Sequence, residues 1–171
     1  NRQSPPCPYY NECGGCNLQH MNYIEQLKFK TNHVQKTIKK ITGLNIDINN
    51  TVACSNEFHY RNKMSFSVSN NKCGLLKRNS KEIVDIVSCP LANDDINKVL
   101  YIIKDYIKKN NAREIRNVVI RNINQQILVG IVTKKFIELK NLLSTLNEHF
   151  VDIGLYEILN TRNDSVVLCG K

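Results

Sequence analysis

Met64-Ser65-Phe66-Ser67-Val68-Ser69 alternates apolar and hydroxyl side chains with a period of two. That period belongs to a half-buried β-strand, one face on a core and the other toward water. Residues 70–74 read as a turn, and Leu75-Leu76 resumes the strand. Working outward, residues 51–87 read as all-β, with a further strand over 82–87. A helix follows from about Asn93, an effective N-cap with Asp94 and Asp95 in its first turn. Its apolar stripe is Ile96, Val99, Leu100, Ile103, Tyr106 and Ile107. Next come a strand over 114–121, a turn at 122–125, a strand over 126–133, a helix over 136–150 and a strand over 153–160. A turn at 161–164 and a strand over 165–169 close the chain. Upstream, residues 22–42 read as a helix. Ile24, Leu27, Val34, Ile38 and Ile41 fall within an arc of about 100° at 3.6 residues per turn. Lys28, Lys36, Lys39 and Lys40 take the other side, and Gly43 is a C-terminal stop. Short turns between consecutive strands imply antiparallel pairing. The expected fold is α+β: a mainly antiparallel sheet with three helices, preceded by a Cys-rich loop. The loop occupies residues 1–20 and the α+β domain residues 21–171.

The chain has 171 residues, 42% of them apolar. That is enough for the core of one domain and too much for a disordered tail. The longest apolar run, 127–132, covers six residues including Gly130, against the roughly twenty needed to span a bilayer as a helix. No membrane partner is expected. Residues 1–6 are polar and Pro-rich, unlike a signal peptide, and the chain opens on Asn rather than Met, as a piece of a longer protein would. Lys and Arg number 24 against 15 Asp and Glu, a net charge of +9. A polyanion, nucleic acid first, is the partner that this excess favours over a mere solubility charge.

Seven cysteines, an odd number, with no secretory signal, argue against a disulfide framework and for a reducing compartment, the cytoplasm. Cys54 and Cys169 lie among apolar residues and read as small buried hydrophobes. Cys73 falls in the expected turn and reads as incidental. The informative stretch is Cys7-Pro8-Tyr9-Tyr10-Asn11-Glu12-Cys13-Gly14-Gly15-Cys16, with spacing C-x5-C-x2-C. Its paired glycines let backbone N–H groups approach a ligand closely. The segment has almost no apolar surface, so something central must hold it. Four-ligand sites need one more donor, and Cys89 in Ser88-Cys89-Pro90-Leu91, at the end of a strand, is the best candidate. Zinc accepts four thiolates but usually takes them as two close pairs. Three close cysteines and one distant one suit a [4Fe–4S] cluster better. His20 or His33 could replace a thiolate on zinc, although a nearby His is more often an ordinary surface or packing residue.

These residues resemble the iron–sulfur branch of the bacterial 23S rRNA (uracil-5-)-methyltransferases. The match runs from Cys7 to His20 through Cys-Gly-Gly-Cys-Asn-Leu-Gln-His. It continues with Tyr23, Gln26, Leu27, Lys30 and Val34, with Tyr60-Arg61-Asn62-Lys63, and from Gly74 to Leu91. Weaker echoes are Ile115-Arg116-Asn117-Val118-Val119-Ile120-Arg121 and Val167-Leu168-Cys169-Gly170. Leu76 departs from the pattern, where Tyr is common, as does Lys81, and the last hairpin matches loosely. The resemblance implies a three-domain parent: an N-terminal OB-like domain, a central cluster-bearing domain and a C-terminal methyltransferase domain. This chain would be the central one, with the other two absent from it. The parent would be S-adenosylmethionine-dependent, adding a cysteine thiolate to C6 of uracil so that C5 attacks the methyl donor. No cysteine of this chain stands in that nucleophile's context, and the Gly-rich S-adenosylmethionine loop is missing. No catalytic or S-adenosylmethionine-binding residue is therefore assigned, and the fragment alone is expected to be inactive.

Readers of splayed RNA stack bases on rings or guanidinium planes. Phe58, His59 and Tyr60 precede Arg61 and Lys63, so rings and cations interleave. Over residues 56–81 the cations are Arg61, Lys63, Lys72, Lys77, Arg78 and Lys81, with Glu57 the lone acid. The expected RNA contacts are Arg61, Lys63, Lys77, Arg78, Arg116 and Arg121, with Arg116 alternatively pairing with an acid in the core. The cluster ligands are expected to be Cys7, Cys13, Cys16 and Cys89, acting as a structural clamp for the RNA-binding loop.

Overall fold

Asn22 opens the first helix, α1 (Tyr23–Thr42): its side-chain oxygen accepts the Glu25 N–H at 3.0 Å. Gly43 closes it in the left-handed region at φ 74°, donating its N–H to the Lys39 carbonyl. The Gly43 stop matches the sequence reading, and the helix begins one residue later than read, with Asn22 as its cap. The computed structural model describes residues 2–161. The turn and strand expected over 161–169 fall almost wholly outside those residues, Cys169 with them.

The expected apolar arc of α1 is not buried. Ile24 is 66% and Ile41 76% exposed, and no residue of the helix is fully covered. Periodicity fixes that a helix forms and which way its stripe points, but not what lies over the stripe. Residues 51–62 form no strand, contrary to expectation. They run beside α1, held by side chains: the Thr51 N–H donates to Thr31 Oγ1 at 2.9 Å, and the Cys54 N–H to the Tyr23 hydroxyl at 2.8 Å. Cys54 is consequently exposed rather than buried.

Strand β1 (Lys63–Ser69) carries the alternation as read: Met64, Phe66 and Val68 point into the core. The turn is tighter than expected. Asn70 and Asn71 alone make it, at φ 50° and 60°, and Ser69 pairs directly with Lys72. Asn tolerates this region better than most residues. Cys73 thereby falls on β2 (Lys72–Leu76), pointing inward and fully buried, not in a turn. Strand β3 is only Ile83–Val84. Gly74 makes the β2–β3 approach possible, since a Cβ there would lie 1.9 Å from the Val84 carbonyl oxygen.

Helix α2 (Asp94–Asn110) is capped by Asn93, whose Oδ1 accepts the Ile96 N–H at 3.0 Å. Ile96, Val99, Leu100, Ile103 and Ile107 are buried, as the stripe required. β4 (Ile115–Ile123) and β5 (Gln126–Thr133) form a hairpin around Asn124 and Gln125, both at positive φ. Helix α3 (Lys140–His149) starts later than expected, and β6 (Ile153–Leu159) follows it. Because α3 intervenes, β6 pairs with β5 in parallel, from Ile127↔Ile153 to Thr133↔Leu159. The sheet order is β3-β2-β1-β4-β5-β6, otherwise antiparallel.

The fold is thus α+β with three helices among the described residues. Phe66, Ile120 and Ile131 of the sheet are fully buried, as are Leu100 and Ile103 of α2 and Leu142 and Leu146 of α3. Helices α2 and α3 cover that face. Ser65, Arg121, Leu128 and Tyr156 alternate with the core residues and stay exposed. No described helix is long and apolar enough to cross a membrane.

Candidate thiol centre and nucleic-acid interface

The cysteine loop turns tightly on Tyr9, whose carbonyl accepts the N–H of Glu12 at 3.1 Å and of Cys13 at 2.7 Å. It then docks on the chain leaving β2. The Gly14 N–H donates to the Leu76 carbonyl at 2.9 Å, the Arg78 N–H donates to the Glu12 carbonyl at 3.0 Å, and Cys13 sits opposite Lys77. A Cβ on Gly14 would stand 3.2 Å from that Leu76 oxygen, so glycine allows the approach. Two side chains add ties. The Tyr9 hydroxyl accepts the Val87 N–H at 3.0 Å, and Arg78 Nη2 donates to the Cys16 carbonyl at 2.7 Å.

Cys89 approaches from the segment between β3 and α2. Cys7, Cys13, Cys16 and Cys89 line one small cavity together with Arg61. Cys13 and Cys89 are buried, Cys7 and Cys16 half-buried. Burial pushes the Cys7 and Cys16 thiols above their ordinary range. Neighbouring Cys89 and Cys13 add to this in both, while a Gln19 hydrogen bond and the Arg61 charge act the other way on Cys16. Two donors reach the sulfurs: the Gly15 N–H to Cys13 Sγ at 3.3 Å and Gln19 Nε2 to Cys16 Sγ at 3.2 Å. Such bonds orient and tune sulfur ligands.

Among the described residues, no three His, Cys, Asp or Glu side chains stand as close together as a single metal ion requires. The cavity itself measures about 20 Å³, roughly the room for one water. Four thiols are the donor type that a sulfur-ligated cluster takes, each thiolate meeting its own iron, but a cavity of this size does not admit one as it stands. The two histidines are engaged elsewhere: His20 Nδ1 meets the Tyr10 hydroxyl at 2.5 Å, and His33 stacks on Phe29 along α1.

The six expected RNA-contacting cations do not form one patch. Arg61 lines the thiol cavity and also a neighbouring groove of about 490 Å³. Lys63 and Arg121 are directly opposite each other on β1 and β4, both exposed on the uncovered sheet face. Lys77 pairs with Glu82 at 3.3 Å, and Arg78 holds the cysteine loop as described. Arg116 is half-buried and donates to the Asn160 carbonyl at 3.3 Å. The groove runs between the cysteine loop, the start of α1 and residues 54–61.

No family model matches the chain. An uncharacterized RNA methyltransferase of Clostridium tetani is 30% identical over 186 residues, covering 98% of this chain and 40% of that protein. One of Clostridium acetobutylicum is 30% identical over 189 residues, covering 98% and 41%. The Pyrococcus abyssi tRNA (uracil-54, C5)-methyltransferase, solved with S-adenosyl-L-homocysteine, superposes with a TM-score of 0.66 at 27% identity, over 94% of this chain and 40% of that one. This chain is an RNA-methyltransferase-related domain. It spans about two fifths of the length of these relatives.

Sequence reasoning missed the residues that position the domain's thiols. Asn97 of α2 accepts the Cys89 N–H at 2.9 Å and donates to the Cys89 carbonyl at 3.1 Å. Buried Gln19 accepts the Cys7 N–H at 3.3 Å while bonding Cys16. Gln19 had a signal, its place in Asn17-Leu18-Gln19-His20. Asn97 had none, because a polar residue on an amphipathic helix reads as solvent-facing.

Proposed function

We propose that the chain is the iron–sulfur and RNA-binding domain of an S-adenosylmethionine-dependent methyltransferase that makes 5-methyluridine in 23S rRNA. The observation that carries this reading is the meeting of Cys7, Cys13, Cys16 and Cys89 around one cavity. Its context supports it: homologues named RNA methyltransferases and a uracil-C5 methyltransferase structural relative. Cys7, Cys13, Cys16 and Cys89 would hold a [4Fe–4S] cluster, which when bound supplies a cross-link between the loop and the sheet. This chain's own residues do the rest. Gln19 and Gly15 donate to sulfur, Asn97 fixes Cys89, and Arg61 supplies positive charge beside the thiols. Arg61, Lys63 and Arg121 face the RNA, with Lys77, Arg78 and Arg116 dividing their hydrogen bonds with the fold. The catalytic cysteine and the S-adenosylmethionine site are assigned to other domains of the same polypeptide, and the enzyme works in the reducing cytoplasm.

Anaerobic purification followed by iron, sulfide and zinc analysis tests the metal. About four irons per chain are expected, falling sharply in Cys89→Ser. Zinc without sulfide would replace this reading with a non-catalytic zinc module. Nucleoside mass spectrometry on rRNA and tRNA from cells lacking the parent gene tests the target. Loss of 5-methyluridine from tRNA alone would move the substrate from ribosomal to transfer RNA.

A further inference from the structure

We propose that the groove beside the thiol cavity seats one unstacked RNA nucleobase and its phosphate, with Tyr60 as the stacking platform. This rests on the RNA-binding reading above and makes it specific. At about 490 Å³, the groove is within the range of sites that hold a small ligand. Its lining combines rings, amides and cations. Tyr60 and Phe58 offer rings, Gln26 and Asn56 offer amides for a base edge, and Lys30 and Arg61 offer charge for a phosphate. Splayed bases on single strands are recognised with this combination, whereas a duplex keeps its ring faces stacked inside.

The backbone carrying Tyr60 is held rigidly on both sides. The His59 N–H donates to the Pro90 carbonyl at 2.9 Å, and the Arg61 N–H donates to the Leu91 carbonyl at 2.8 Å. His59 itself adopts φ 59°, a region that a non-glycine residue rarely occupies, and its Nδ1 is 2.9 Å from Asp94 Oδ1 at the start of α2. Such a conformation persists where surrounding contacts enforce it, as they do here. The result is a large ring left 54% exposed on a fixed mount. A pre-organised ring stacks on a base with little further ordering. Tyr23 adds a hydroxyl that accepts the Cys54 N–H and retains its own proton to donate.

The test uses the protein with a labelled single-stranded RNA of about a dozen nucleotides and with the duplex of the same sequence. Tyr60→Ala should weaken single-strand binding about tenfold, the worth of one lost base stack. Tyr60→Phe should retain it, and duplex binding should not change. Exposed Cys54 lines the same groove. Its alkylation by iodoacetamide, mapped by mass spectrometry, should slow several-fold when the single strand is bound. Equal losses on single strand and duplex, or an indifferent Tyr60→Ala with an unprotected Cys54, would overturn the seat while leaving general RNA binding intact. A wild-type protein that binds neither RNA would sink the RNA-binding reading and the seat together.

Discussion

Asn97 holds Cys89 from both sides of its peptide: the Cys89 N–H donates to Asn97 Oδ1 at 2.9 Å, and Asn97 Nδ2 donates to the Cys89 carbonyl at 3.1 Å. A residue of α2 thus fixes the distant thiol against the loop that carries the other three. Asn97→Ala removes the acceptor of the buried Cys89 N–H and leaves the Cys89 carbonyl only the Ala92 N–H, at 3.1 Å. It should cost about 1–3 kcal/mol in urea unfolding and lower the iron retained after purification. Asn97→Asp keeps the acceptor only and should fall between. Wild-type stability and iron content in Asn97→Ala would refute the assignment.

Gln19 makes the matching tie inside the loop, to Cys7 and Cys16. Because the loop docks at the sheet's end rather than in its core, its loss should be felt locally. Gln19→Ala is expected to make residues 7–16 more sensitive to protease at low concentration, with the global unfolding midpoint nearly unchanged. A purely global loss would show that Gln19 supports the core instead.

Gly74 leaves no room for a side chain, its would-be Cβ being 1.9 Å from the Val84 oxygen. Gly74→Ala must push β3 off β2 and should destabilise by about 1–3 kcal/mol. Hydrogen exchange should show the Leu75–Val84 and Leu76–Ile83 pairs opening first.

Lys63 and Arg121 face each other across β1 and β4 with like charge. Directly opposed like charges destabilise a sheet by a few tenths of a kcal/mol, up to about 1. Lys63→Gln should therefore leave stability equal or slightly higher while weakening RNA binding. The slope of log affinity against log salt should fall by about one. An unchanged slope would remove Lys63 from the interface.

Cys73 sits fully buried, and burial pushes its thiol up to about 12; nearby Lys104 opposes this and Asp85 reinforces it. The sign follows from proton linkage. Between the unfolded thiol's ordinary value of 9.0 and about 12, the folded protein keeps a proton that the unfolded chain releases. Stability from this group is intact below about pH 9 and falls as pH rises, by at most about 1.4 kcal/mol per pH unit. Urea midpoints across that range should decline less steeply in Cys73→Ala. At pH near 8, Cys54 should alkylate readily and Cys73 should not.

The positions of Cys54 and Cys73 reverse the sequence reading, and the reason is geometric. Cys54 lies among apolar neighbours, but its segment forms no strand and is strapped beside α1. Asn70, Asn71 and Gly74 are all turn formers, so the sequence alone puts Cys73 in a turn. Two asparagines at positive φ proved sufficient, which moved Cys73 onto β2 and inward. With a period of two, the length of a turn decides which face a side chain takes.

Local chemistry was legible in the amino-acid order: Asn93 and Gly43 bound their helices, and Met64, Phe66 and Val68 face the core. Caps and periodicities act over a few residues, so neighbours along the chain suffice to specify them. Tertiary structure alone decided that the α1 stripe stays open, that β6 runs parallel to β5, and that Asn97 reaches Cys89. It also decided that Tyr60 stands over a groove at the thiols' edge. Each of these depends on surfaces far apart in sequence coming together, which no local pattern encodes.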